Sequence, residues 1–242
     1  MKNRTVSWLL LFGRTVLFIG VQSIFALGSF FAGSSTAWTD SEAWWMMVAH
    51  ITNFICLAVM IRMYRAEGKS YWDIFRIYRQ NIKSDLLVML GIVIITGPVS
   101  YAPNVILANW LFGVPEASLS FVIRPLPLWG AYLSIILFVL HGLVELPLYF
   151  VYVMPHLFEV KAGEKPSWLA LIISALMLGF QHAALPLSPN FNGVIWHGLM
   201  FIPFAFLAGI ILRWRPHLLP YVVTVHALMD IAFATMLLPL AY

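Results

Sequence analysis

The sequence predicts an all-α protein, a polytopic transmembrane helix bundle of seven to eight spans with a broken third span and an interfacial amphipathic helix. Three observations lead there. Of the 242 residues, 62% are hydrophobic and only 10% charged, with a mean hydropathy of +0.88, where a soluble domain is about half apolar and a quarter charged. Seven apolar stretches approach the roughly 20 residues that a helix needs to cross a bilayer core of about 30 Å. The basic residues gather in alternate connections, as the positive-inside rule requires. No polar stretch is long enough for a second core, so residues 1–242 read as one integral membrane domain, with 1–128 as accessory helices and 129–242 as the part that carries the polar groups.

The spans run over residues 6–31, 43–63, 86–111, 129–154, 168–187, 194–212 and 218–240. The first begins with Lys2 and Arg4, like a signal peptide, but its apolar stretch is about twice the 7–15 residues of a signal core. It reads as a retained helix, with Arg14 snorkelling or pairing inside the bundle. The segment "SYWDIFRIYRQNIKSD" follows the second span. It places Tyr71, Ile74, Phe75, Tyr78 and Ile82 at helical spacing, with Arg76, Arg79 and Lys83 elsewhere on the wheel, the pattern of a helix lying on the cytoplasmic leaflet. In the third span "ITGPVSYAPN" brings Gly97, Pro98 and Pro103, which should kink or split it.

Lys2 and Arg4 precede span one, Asp40 and Glu42 follow it, and six Lys and Arg residues lie between Arg62 and Lys83. This places the N-terminus in the cytoplasm and the C-terminus outside, in what reads as a bacterial cytoplasmic membrane. The net charge of +4 is explained by this placement, and no nucleic-acid partner is needed. The single cysteine, Cys56, excludes an intrachain disulfide. No lysine lies inside the last three spans, which excludes a retinal Schiff base.

Ionisable groups deep in a span are costly and mark function by default. Span seven holds "VTVHALMDIAFATMLL", whose His226 and Asp230 are four residues apart and so share a helix face. Span four holds "LFVLHGLVELPLYFVY", whose His141 and Glu145 repeat that spacing. Span five contributes His182. His50 and His197 read as hydrogen-bonding groups between helices. Pro147, two residues past Glu145, leaves the carbonyl of Leu143 without its usual donor, a gap that water or a polar group can fill. A carboxylate, a water and several imidazoles suffice to hydrolyse an amide. The same groups could instead ligate a divalent metal. Helical rise puts His182 several ångströms further outward than Glu145 and His226, unless span five starts late or tilts.

These residues resemble the three motifs of the intramembrane endopeptidases called the CPBP or Abi family: Glu-Glu-x-x-x-Arg, Phe-x-x-x-His and His-x-x-x-Asn or Asp. "HALMD" matches the third outright. In "LGFQHAAL" His182 stands in the second, with Leu178 in place of Phe, and in "VELPLY" Glu145 matches one of the paired glutamates. Val144 or Leu146 replaces the other, and Tyr149 or Phe150 the arginine. The resemblance covers roughly residues 129–240. It implies a catalytic set of Glu145, His182, His226 and Asp230, with Glu145 activating water, the two imidazoles binding that water or the oxyanion, and Asp230 orienting a catalytic group. His141 and Tyr149 are expected to bind substrate. No cofactor is expected; if a divalent metal takes part, His182, His226 and Glu145 would hold it. The partners implied are membrane lipid and a peptide or lipidated peptide substrate. The alternatives are a proton-coupled transporter, in which the same residues relay protons, and a non-catalytic immunity or scaffold protein that keeps the fold.

Overall fold

A computed structural model describes residues 2–118, 124–158, 160, 164–236 and 238–242. Among these the chain is helical, with no strand. Helix α1 (Lys2–Phe31) turns its Ser7, Leu11, Arg14, Phe18 and Gln22 inward, a three-to-four-residue spacing that buries one face. A short α2 (Ala37–Glu42) leads into α3 (Trp45–Ala66), which packs along α1.

Residues 71–81 do not form the expected amphipathic helix. They make two separate 3-10 turns, Tyr71–Phe75 and Arg79–Asn81, divided by extended backbone at Arg76 and Tyr78. Tyr71 is drawn almost fully into the core, while Trp72, Ile77 and Tyr78 of the same stretch stay exposed.

The expected break in the third span is also absent: α4 (Ile82–Phe112) is one helix with Pro98 and Pro103 inside it. Membrane helices tolerate such prolines where neighbouring side chains and small backbone adjustments absorb the freed carbonyls. α4 stops at Gly113, whose φ of 78° is the left-handed cap that only glycine adopts cheaply. Its Leu87, Leu90, Ile94, Tyr101, Ile106 and Trp110 are all more than 60% exposed, which is the surface expected of a helix solvated by lipid.

The bend falls in the next span. Helices α5 (Leu128–Leu137) and α6 (Val139–Leu146) meet at 46°, and Pro147 opens a π-helical turn, Pro147–Val153, that runs on to His156. Wide turns of this kind occur where a proline interrupts the ladder and are frequent at functional sites. Helix α7 (Trp168–Phe180) is capped by the Ser167 hydroxyl, which accepts from the Ala170 amide, and tightens into a 3-10 turn over Gln181–Ala184. Then come α8 (Phe191–Met200), α9 (Ile202–Trp214) and α10 (Leu219–Thr235).

Among the described residues five helical stretches are long and apolar enough to cross a membrane, or six if the bent pair counts as one span. The seventh, Trp168–Ala184, covers only ~25 Å at 1.5 Å per residue. The main core joins Leu11, Met60 and Tyr71 of the first half to Val144, Leu171 and Leu212 of the second. Helices α1 and α3 and the Tyr71 turn thus share one core with the second half.

Candidate functional site

The polar site is built around Glu145, whose side chain is 3% exposed near the end of α6. A buried carboxylate must be neutralised or it costs several kcal/mol. Arg14 of α1 does so: its Nη1 donates to Glu145 Oε1 at 2.7 Å and its Nη2 to Asn53 Oδ1 of α3 at 2.8 Å. The Gln181 amide nitrogen donates to the same Oε1 at 2.7 Å. One oxygen of the carboxylate is thus fully engaged. The other, Oε2, has His226 Nε2 at 3.5 Å.

The imidazoles differ in what they offer. His182 Nδ1 faces only carbonyls, those of Leu178 at 2.9 Å and Gly179 at 3.2 Å, so it carries the proton and leaves the lone pair of the neutral ring on Nε2. That Nε2 stands 3.6 Å from Glu145 Oε1. His226 Nε2 faces only carboxylate oxygens, Glu145 Oε2 and Asp230 Oδ2, each at 3.5 Å; it is accordingly the protonated nitrogen of its ring. One ring presents an acceptor and the other a donor beside the same carboxylate. Both flank a cavity of about 210 Å³, whose wall includes Trp45, Phe138, Trp196, Phe201 and Phe204 besides the polar groups.

Of the residues named from the sequence, Glu145, His182, His226 and Asp230 come together, and His141 lines the same cavity with its ring stacked on Phe138 at 5.1 Å. The outward offset of His182 expected from helical rise does not keep it from the site, since its Nε2 stands 3.6 Å from Glu145 Oε1. Tyr149 is the correction. It is fully buried behind the site, where its hydroxyl donates to Gln181 Oε1 at 2.9 Å, so it supports the carboxylate and is not part of that cavity's wall. It lies on the π-helical turn, whose wide winding displaces it from the face that α-helical spacing would assign.

Gln181 and Asn53 were missed. Their signal was present, as a buried amide inside an apolar run is a hydrogen-bonding demand, but an uncharged side chain draws less notice than the histidine beside it. His197, read as structural, lines the cavity against Trp196.

Among the described residues no group of three or more His, Cys, Asp or Glu side chains is arranged to hold a metal ion. The set His182, His226 and Glu145 does not fit one. The Arg14 guanidinium already occupies Oε1, and a second cation would sit against that fixed charge. Comparison with protein-family models, with curated proteins and with solved structures finds no match.

Proposed function

We propose that the protein is an intramembrane endopeptidase of the CPBP type, which hydrolyses a peptide bond in a membrane-associated or lipidated peptide with a water activated by Glu145. The observation that carries this reading is the pairing of acceptors. His182 Nε2 presents a lone pair 3.6 Å from the carboxylate of Glu145, whose Oε2 takes no bond from Arg14 or Gln181, and a water that reaches both acceptors donates to each. Arg14 and Gln181 hold Oε1 still, and Oε2 is the basic oxygen. The water gives its proton to Oε2 while its oxygen attacks the carbonyl carbon. His226 Nε2–H, which rests 3.5 Å from both Glu145 Oε2 and Asp230 Oδ2, turns to donate to the oxyanion that forms. Collapse breaks the C–N bond, and the amine leaves with the proton from Glu145. His141 contacts the substrate from the cavity wall. With the bent pair and the short α7 counted, the chain crosses a bacterial cytoplasmic membrane seven times, its basic N-terminus inside and its C-terminus outside.

The test is the purified chain in proteoliposomes, given a panel of lipidated and membrane-anchored peptides in H2¹⁸O. A new carboxyl end carrying ¹⁸O is expected, and its loss in Glu145→Gln at unchanged protein level. Absence of any labelled product, or full activity in Glu145→Gln, would sink the reading.

The Arg14 contact favours a second reading, a non-catalytic immunity or scaffold relative. The carboxylate is already neutralised by a guanidinium at 2.7 Å, and on this reading the pair serves to join α1 to α6. On that reading Glu145→Gln leaves cellular protection intact.

A further inference from the structure

Tyr71 completes a site that the proposed chemistry does not use. Pro147 has no N–H, so the Leu143 carbonyl lacks its helical donor. The Tyr71 hydroxyl donates to that carbonyl, two residues before Glu145. The ring is locked by edge contacts with Tyr64, Trp72 and Phe75, at centroid distances of 5.4–5.6 Å. Its 3-10 turn packs against α3, which carries Asn53, and α10, which carries His226. The segment from residue 70 to 81 is therefore wedged among the three helices that build the polar site.

The outer side of that segment faces away from protein. Trp72, Ile77 and Tyr78 are 43–54% exposed, and Arg76, Arg79 and Lys83 are exposed without a carboxylate partner among the described residues. Between the segment and the 216–219 turn lies a polar hollow of about 590 Å³, with Arg76, Gln80, Asn81 and His217 on its wall and Asp73 as its one lining carboxylate. His217 is held by the buried Asp85 at 3.1 Å, which fixes the far side. Aromatic and aliphatic groups beside cations and amide donors match the boundary of a bilayer, where acyl chains meet phosphate.

We infer that anionic phospholipid headgroups are a ligand of this protein: their phosphates, taken up by Arg76 on the wall of the hollow and by the exposed Arg79 and Lys83 of the same stretch, seat residues 70–81, and Tyr71 carries that seating to the helix bearing Glu145. Tyr71 is a positioning residue, acting through the Leu143 carbonyl. The inference stands on this segment alone, and none of its readouts depends on turnover, so it can fail while the hydrolase reading holds, and the reverse.

The test uses the full chain in nanodiscs of phosphatidylcholine with or without phosphatidylglycerol. Trp72 emission, taken as the difference between the chain and its Trp72→Phe variant because the protein has ten tryptophans, reports the seating, and hydrogen exchange of the amides between residues 144 and 150 reports the helix. Phosphatidylglycerol is expected to shift Trp72 emission to the blue and to slow that exchange about fivefold, the factor that one hydrogen bond of ordinary net strength is worth. Tyr71→Phe keeps the ring packing, so it should retain the Trp72 shift and lose the slowing. Arg76→Gln with Arg79→Gln should lose both. Equal exchange in the two lipids, or wild-type behaviour in Tyr71→Phe, overturns the inference. Reproduction of the slowing by inorganic phosphate in phosphatidylcholine discs would show a free-phosphate site and overturn the membrane source.

Discussion

Replacing Arg14 by methionine is expected to destabilise the fold by about 3–5 kcal/mol, the usual result of removing one partner from a buried ion pair. The hydrogen bonds themselves are a minor part of this, since side-chain hydrogen bonds inside membrane proteins average only about 0.6 kcal/mol. The large contribution is the Glu145 charge, left in a low-dielectric interior with only Gln181 and the two imidazoles around it. Methionine keeps the length of the stem and its contact with Phe18, whose ring lies 5.1 Å from the guanidinium. The double variant Arg14→Met/Glu145→Met should recover most of the loss, because replacing both members by apolar groups removes the desolvation cost with the attraction. Reversible unfolding in mixed micelles measures both. A loss below about 1 kcal/mol for Arg14→Met would mean that Glu145 is neutral in the folded protein without its arginine, and that the clamp is not what holds the carboxylate.

Gly142→Ala is expected to separate the two sides of the site and cost about 1–3 kcal/mol, the range for overpacking a close contact. A methyl group there would stand 2.7 Å from the Val223 carbonyl oxygen and 3.0 Å from Val223 Cγ1, both on α10. An ordinary carbon-to-oxygen contact needs about 3.3–3.6 Å, and the nearest obstacle is backbone, so the helices must move apart by more than half an ångström. Gly142 lies one turn before Glu145 and Val223 one turn before His226, so that opening transfers directly to the 3.5 Å separation of the two. On the proposed hydrolase reading, product formation should fall while the protein still folds and extracts normally. Gly20→Ala is the control: nothing lies within 4 Å of the added methyl, and a helix interior gains up to about 1 kcal/mol from the exchange. If Gly142→Ala matches Gly20→Ala in both stability and activity, α6 and α10 do not owe their spacing to that glycine.

The prolines show how far a local pattern reaches. Pro98 and Pro103 were expected to kink or split α4, which instead runs on as one helix; Pro147 was expected to free the Leu143 carbonyl for water or a polar group, and the Tyr71 hydroxyl is that group. A proline's local consequence, the missing donor, is covalent and can be read anywhere. Whether the helix then breaks depends on what stands beside it, which only the folded chain supplies. Residues 71–81 failed for the related reason that a helical pattern of apolar residues describes a face and does not say whether one of its rings will leave that face for the core.

Residence in a bilayer, the helical class, and the shared faces of His141 with Glu145 and of His226 with Asp230 were determined by the sequence alone, because hydropathy and the 3.6-residue period act between near neighbours. Which cation meets Glu145 was decided by tertiary structure: Arg14 lies 131 residues away in the chain, on a helix whose own period shows only that it faces inward. The amide of Gln181, the acceptor and donor roles of the two imidazoles, and the exclusion of Tyr149 from the cavity belong to the same kind of fact. Each is a distance between helices, set by packing, and no local pattern encodes it.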